Sequence, residues 1–178
     1  MAASKRRWGR EMALQMLYQL ELGGSSAREV KGSFIPFEYL AGQAPEEESE
    51  GHPVAASVGP EVIKQGFEFA RQLFDGALER REQIDALIAE QADNWRVERM
   101  PAVDRNILRL AVFELLAEPD VPPLVVLDEA IELAKRYGSE QSSAFVNGLL
   151  DGLLKRGALA GHRQLPNPAR PQDSPTGD

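Results

Sequence analysis

The chain has 178 residues, enough to bury one sizeable core and short for two. Its 43% hydrophobic and 27% charged residues are ordinary for a globular protein, and no apolar run nears the roughly 18–20 residues of a membrane span. The absence of cysteine excludes disulfides, a thiol nucleophile and a Cys-based zinc site, and a net charge of −8 argues against indiscriminate coating of nucleic acid while leaving room for a local basic patch.

The spacing predicts a first helix over about Ser4–Leu22, with Ala13, Met16, Leu17 and Leu20 on one face and Gly23-Gly24 as its stop. Its basic start lacks the apolar stretch of a secretory signal. A basic transit peptide is the alternative, but the helical pattern runs unbroken into core-type sequence. Ser26 and Glu29 have the spacing of a capping box and predict a short second helix, interrupted near Pro36. From 41 to 59 the composition turns to Pro, Gly, Ser and the glutamates Glu46, Glu47, Glu48 and Glu50, a solvated loop rather than an acidic docking motif.

Pro60 suits the first turn of a helix that carries Val62, Ile63, Phe67, Ala70, Phe74 and Ala77, bends near Glu79–Glu82, continues through Ile84, Leu87 and Ile88, and closes at Asn94. Pro101 opens a helix so apolar, from Val103 to Leu116, that it must be central. Pro122-Pro123 starts another helix, with Leu127, Ala130, Ile131 and Ala134 inward and Asp128, Glu132 and Arg136 outward, stopping at Gly138. Ser139 is placed to cap a last helix containing Phe145, Val146, Leu149, Leu150, Leu153 and Leu154. Beyond Gly157, four prolines among polar residues predict a disordered tail over 157–178, leaving one helical domain over 1–156.

Little here looks catalytic. His52 and His162 fall in segments expected to be flexible, and no phosphate loop, HExxH or GxSxG is present. Asp128, Glu129 and Glu132 read as the wet face of a helix before they read as a metal site, so no metal or cofactor is expected. The more informative signal is Lys5, Arg6, Arg7 and Arg10 clustered at the first helix's start, where backbone amides already favour phosphate. Trp8 lies among them and offers a ring for base stacking or, equally, for the core.

The run Ala102-Val103-Asp104-Arg105-Asn106-Ile107-Leu108-Arg109-Leu110-Ala111 is followed by Asp120-Val121-Pro122-Pro123, Asp128-Glu129-Ala130-Ile131-Glu132-Leu133-Ala134-Lys135, Tyr137-Gly138-Ser139-Glu140 and Phe145-Val146-Asn147-Gly148-Leu149-Leu150-Asp151. In order and spacing this series, with Arg10, Ala13, Leu17 and Tyr18, resembles the NusB family over roughly residues 4–24 and 60–156. The resemblance implies an all-α fold, a compact bundle of about seven helices in two packed subdomains. It also implies a cytoplasmic, non-catalytic transcription antitermination factor. Such a factor binds single-stranded boxA-type RNA together with NusE, a ribosomal protein, within the RNA polymerase antitermination complex that serves rRNA synthesis.

Carried over by position, the resemblance assigns Arg6, Arg7 and Arg10 to RNA phosphates, with Lys5 and Trp8 in the same arm. It puts Gln141 and Phe145 on the RNA side, and Tyr18 and Asp104 on the NusE-facing surface. Phe145 has a competing core role, and Asp104 a competing role at the helix dipole. Trp8 stands where relatives often carry a cation, Gln141 where an acid occurs, and Ser143-Ala144 lacks a lysine found in some relatives. Two rival functions remain at this stage. One is the detached RNA-binding part of a cytosine-5 RNA methyltransferase, for which the chain is too short to hold the catalytic domain. The other is a protein-interaction bundle without RNA contact. A homodimer that hides the arm also stays open.

Overall fold

Helix α1 spans Ala2–Gly23, close to the expected bounds, and turns Trp8, Met12, Ala13, Met16 and Leu17 into the core. Gly24, with φ +64°, takes the left-handed conformation that ends it. The computed structural model describes residues 2–36, 59–93 and 96–160, with side chains from Lys5 onward. The glutamate loop, both histidines, Asn94 and the chain after Ala160 lie outside the described residues.

Helix α2 (Ala27–Ser33) starts with the predicted capping box: the Glu29 amide donates to Ser26 Oγ at 3.3 Å, and the Ser26 amide donates to Glu29 Oε2 at 2.7 Å. The Ser26 amide and hydroxyl, both donating to the Glu29 carboxyl, hold it below its ordinary pKa. Helix α3 (Pro60–Glu79) has proline in its first turn and buries Ile63, Ala70, Leu73, Phe74 and Ala77. The predicted bend is real: Arg80 leaves helical geometry, and α4 (Arg81–Gln91) sets off anew. A 3-10 turn (Val97–Arg99) leads to α5 (Ala102–Ala117), then come α6 (Pro123–Tyr137) and α7 (Ser142–Lys155). Every regular element among the described residues is helical.

Helix α5 is central, as its composition requires: every residue from Asp104 to Ala117 is buried, and α1, α3, α4, α6 and α7 all pack on it. Several of its buried polar side chains are tied to other elements. Arg105 Nη1 donates to the carbonyls of Glu98 (3.0 Å) and Met100 (2.8 Å), while its Nη2 pairs with Glu21. Arg109 grips Asp85 with two bonds, of 2.7 and 2.8 Å. Paired and hydrogen-bonded, such charges are tolerated in a core where lone ones are not.

Three expectations need correction. Pro101 precedes α5 instead of opening it. Ser139 does not cap α7; its own amide donates to Ser142 Oγ at 2.8 Å, and Gly138 is needed because a Cβ there would lie 2.5 Å from Ser142 Oγ. The chain also stays packed past Gly157, since Leu159 is buried in the core.

The first helix meets α3 at very short range. A Cβ on Gly9 would stand 2.6 Å from the Phe69 ring and 2.8 Å from the Gly66 carbonyl oxygen. A backbone atom cannot swing aside as a side chain can, so Gly9→Val is expected to cost about 1–3 kcal/mol through overpacking, read as a lower urea midpoint. An unchanged midpoint would mean the two helices part freely.

Candidate nucleic-acid interface

The arm residues follow one another on α1, so helical geometry sends them in different directions. Trp8 points inward and is 3% exposed, beside Met12 at the crossing with Gly66 of α3. It therefore offers no face to a base, and the stacking role is corrected to a core role. Arg10 is also enclosed, at 5% exposure. Its Nε and Nη2 donate to the two oxygens of Glu114 at 2.8 and 2.5 Å, and its Nη1 lies 3.6 Å from Glu129. Arg10 thus neutralises a carboxylate buried on α5, and its expected contact with RNA phosphate gives way to this structural one.

Arg7 occupies the boundary. Nη2 and Nε donate to Glu129 at 2.9 and 3.3 Å, which raises its pKa and fixes its inner edge on α6, while over a third of the side chain stays exposed. Arg7, Arg10, Glu114 and Glu129 together carry no net charge. Glu129→Gln is expected to cost about 1 kcal/mol, a figure kept small because solvent screens the Arg7 side of the pair. Chemical denaturation measures it.

Uncompensated charge remains at the outer positions. Lys5 donates to the neutral Gln65 amide oxygen at 3.0 Å. Arg6 lies over the Phe69 ring, 5.4 Å from its centroid, with no carboxylate partner among the described residues. The patch is thus Lys5, Arg6 and the outer edge of Arg7, at the end of a chain that is negative overall.

The other site residues lie on different elements. Gln141 is exposed immediately before α7, and Phe145, half-buried one turn later, borders a groove of ≈ 330 Å³ with Gln91, Asp93 and Gly148. The packing brings α7 onto α4, α5 and α6, whereas the arm rests on α3 and α6. Tyr18, 36% exposed, lines a pocket of ≈ 210 Å³ with Glu11, Leu14, Gln15, Val103 and Tyr137; Leu22, one turn on, is 61% exposed. Asp104, beside Val103, is 4% exposed, and its Oδ1 has no hydrogen-bond partner among the described residues.

Sequence reasoning passed over Phe69 and treated Glu129 as a wet-face residue. Glu114 gave a readable signal, because a carboxylate on a helix buried all round demands a cation. Among the described residues no three His, Asp or Glu side chains gather as metal ligands, and no helix is long and apolar enough to cross a membrane.

The model of the NusB family matches residues 8–155. The transcription antitermination protein NusB of Myxococcus xanthus is 45% identical over 146 residues, 82% of this chain and 91% of that one. Its counterpart from Sorangium cellulosum is 45% identical over 150 residues, covering 84% and 91%. Among solved structures, T. maritima NusB superposes with a TM-score of 0.65 at 32% identity, covering 90% of this chain and 97% of that one. A chain from a structure described as antitermination factors NusB and NusE in complex with dsRNA gives 0.61 at 26% identity, covering 85% and 97%.

Proposed function

Because the chain belongs to the NusB family, we propose that it acts as a transcription antitermination factor, binding nascent boxA-type RNA together with NusE. The observation that carries the RNA part is the charge imbalance on the outer face of α1. Among the described residues Lys5 and Arg6 are cationic without an acidic partner, and Arg7 keeps one guanidinium edge clear of Glu129. A guanidinium binds phosphate through such an edge, and the salt dependence of RNA binding follows from the number of phosphates so neutralised. Gln141 and Phe145 are read as a second contact further along the RNA. The protein works by binding rather than catalysis, in the cytoplasm, and its folded domain extends at least to Leu159.

For NusE, the reading places contact at Tyr18 and Leu22; Asp104, enclosed beside Val103, is reached by a partner's donor only where the packing over its oxygen opens on binding. An orphan acceptor is costly when enclosed, and a partner's N–H would relieve that cost. The test is a titration of labelled single-stranded boxA-type RNA with this protein alone, with NusE, and with both. The pair is expected to bind far more tightly than the protein alone. Equal binding with and without NusE would sink the cooperative reading, and no RNA binding by the pair would favour a bundle that contacts proteins only.

A further inference from the structure

Trp8 being enclosed leaves the arm without the aromatic side chain that its sequence offered, yet α3 supplies another. Phe69 is half-buried against α1, with Arg6 5.4 Å and Arg10 5.8 Å from its ring centroid. The two arginines are one turn apart on the same side of α1 and differ in what else they hold. Arg10 spends its donors on Glu114, whereas Arg6 has no carboxylate to satisfy among the described residues.

A planar cation that rests on an aromatic ring keeps three things available: its charge, its N–H edges, and the face turned away from that ring. The edges suit phosphate. The outer face suits a nucleobase, because unpaired bases stack on guanidinium planes as well as on aromatic rings. Lysine would reproduce the charge but has no plane to offer.

We propose that Arg6, supported from below by Phe69, is a base-stacking residue of the RNA site as well as a phosphate ligand. Phe69 is a positioning residue in this arrangement and acts through Arg6. Its fixed seat keeps the guanidinium from wandering before RNA arrives, since a Cβ on Gly9 would already collide with the ring. The proposal rests on the RNA reading above and narrows it: one unpaired base next to the arm is held by its face.

The experiment measures binding by the full chain with NusE, using a single-stranded boxA-type RNA, copies of it carrying one abasic site at each position in turn, and inorganic polyphosphate. Arg6→Lys preserves charge and leaves the core untouched. It is expected to weaken RNA binding about five- to tenfold, to leave the salt slope unchanged, and to leave polyphosphate binding unchanged. One abasic position should weaken the wild-type complex by a similar factor and the Arg6→Lys complex hardly at all. Phe69→Leu should mimic Arg6→Lys and Phe69→Tyr should restore binding, a rescue that a purely structural role for a fully folded variant would not produce. Undiminished RNA binding by Arg6→Lys, or equal losses on RNA and polyphosphate, would overturn the proposal while leaving the RNA function intact. Failure of the wild-type pair to bind RNA at all would overturn both.

Discussion

Replacing Glu114 with alanine is expected to destabilise the fold by about 3 kcal/mol, the lower end of the range for breaking a buried ion pair. Arg10 would keep its charge inside the bundle with only Glu129, 3.6 Å away, to compensate it, and two strong hydrogen bonds would be gone. The loss should appear as a lower denaturation midpoint with an unchanged urea slope. Removing both partners differs in kind, because no charge is left stranded. The double variant Arg10→Met, Glu114→Leu should recover most of the stability and capture RNA with NusE as well as the wild type does. If that double variant lost RNA capture while folding normally, Arg10 would have to reach the RNA, against its present enclosure.

The largest functional effect is expected from alanine at Lys5, Arg6 and Arg7 together. Each phosphate neutralised on single-stranded RNA contributes about 0.7 to the slope of log affinity against log salt, so three contacts contribute about 2. At roughly 0.1 M salt that slope corresponds to an affinity loss of about a hundredfold, before any stacking is counted. Stability should change little by comparison, since Lys5 donates to a neutral amide and Arg6 touches one ring. The Arg7–Glu129 pair accounts for the modest remainder. Salt titration of the NusE-assisted complex gives both slope and affinity. A slope unaltered in the triple variant would mean that other cations hold the RNA.

How far the sequence reached differs between fold and site, and the reason is periodicity. Helix faces repeat, so Ala13, Met16 and Leu17 announced a buried stripe, and the apolar stretch from Val103 to Leu116 announced a helix surrounded by others. Caps are local too, which is why Ser26 and Glu29 could be read directly. Ser139 was misread as the cap of α7, which has no side-chain cap, because only the turn after Gly138 decides that the Ser139 amide donates to the Ser142 hydroxyl. The site depended on distant partners. Whether Arg7 and Arg10 face water or acid is set by Glu129 and Glu114, more than a hundred residues away along the chain. Four neighbouring cations therefore looked equivalent in the sequence, although the fold gives them different tasks. The family resemblance supplied an expected role for the arm but did not sort its members, and Trp8 was drawn into the site by lying among the cations at a position where relatives often carry one.

Helix α1 bears both the arm and Tyr18, eleven positions apart, and so about 16 Å along one rod at 1.5 Å per residue. The close seat of Gly9 on Gly66 anchors that rod to its neighbour. A protein gripping the Tyr18 end therefore has no loose joint through which to reshape the arm. On the proposed reading, mutual reinforcement between the two ligands comes from their touching each other across a common, already rigid ledge.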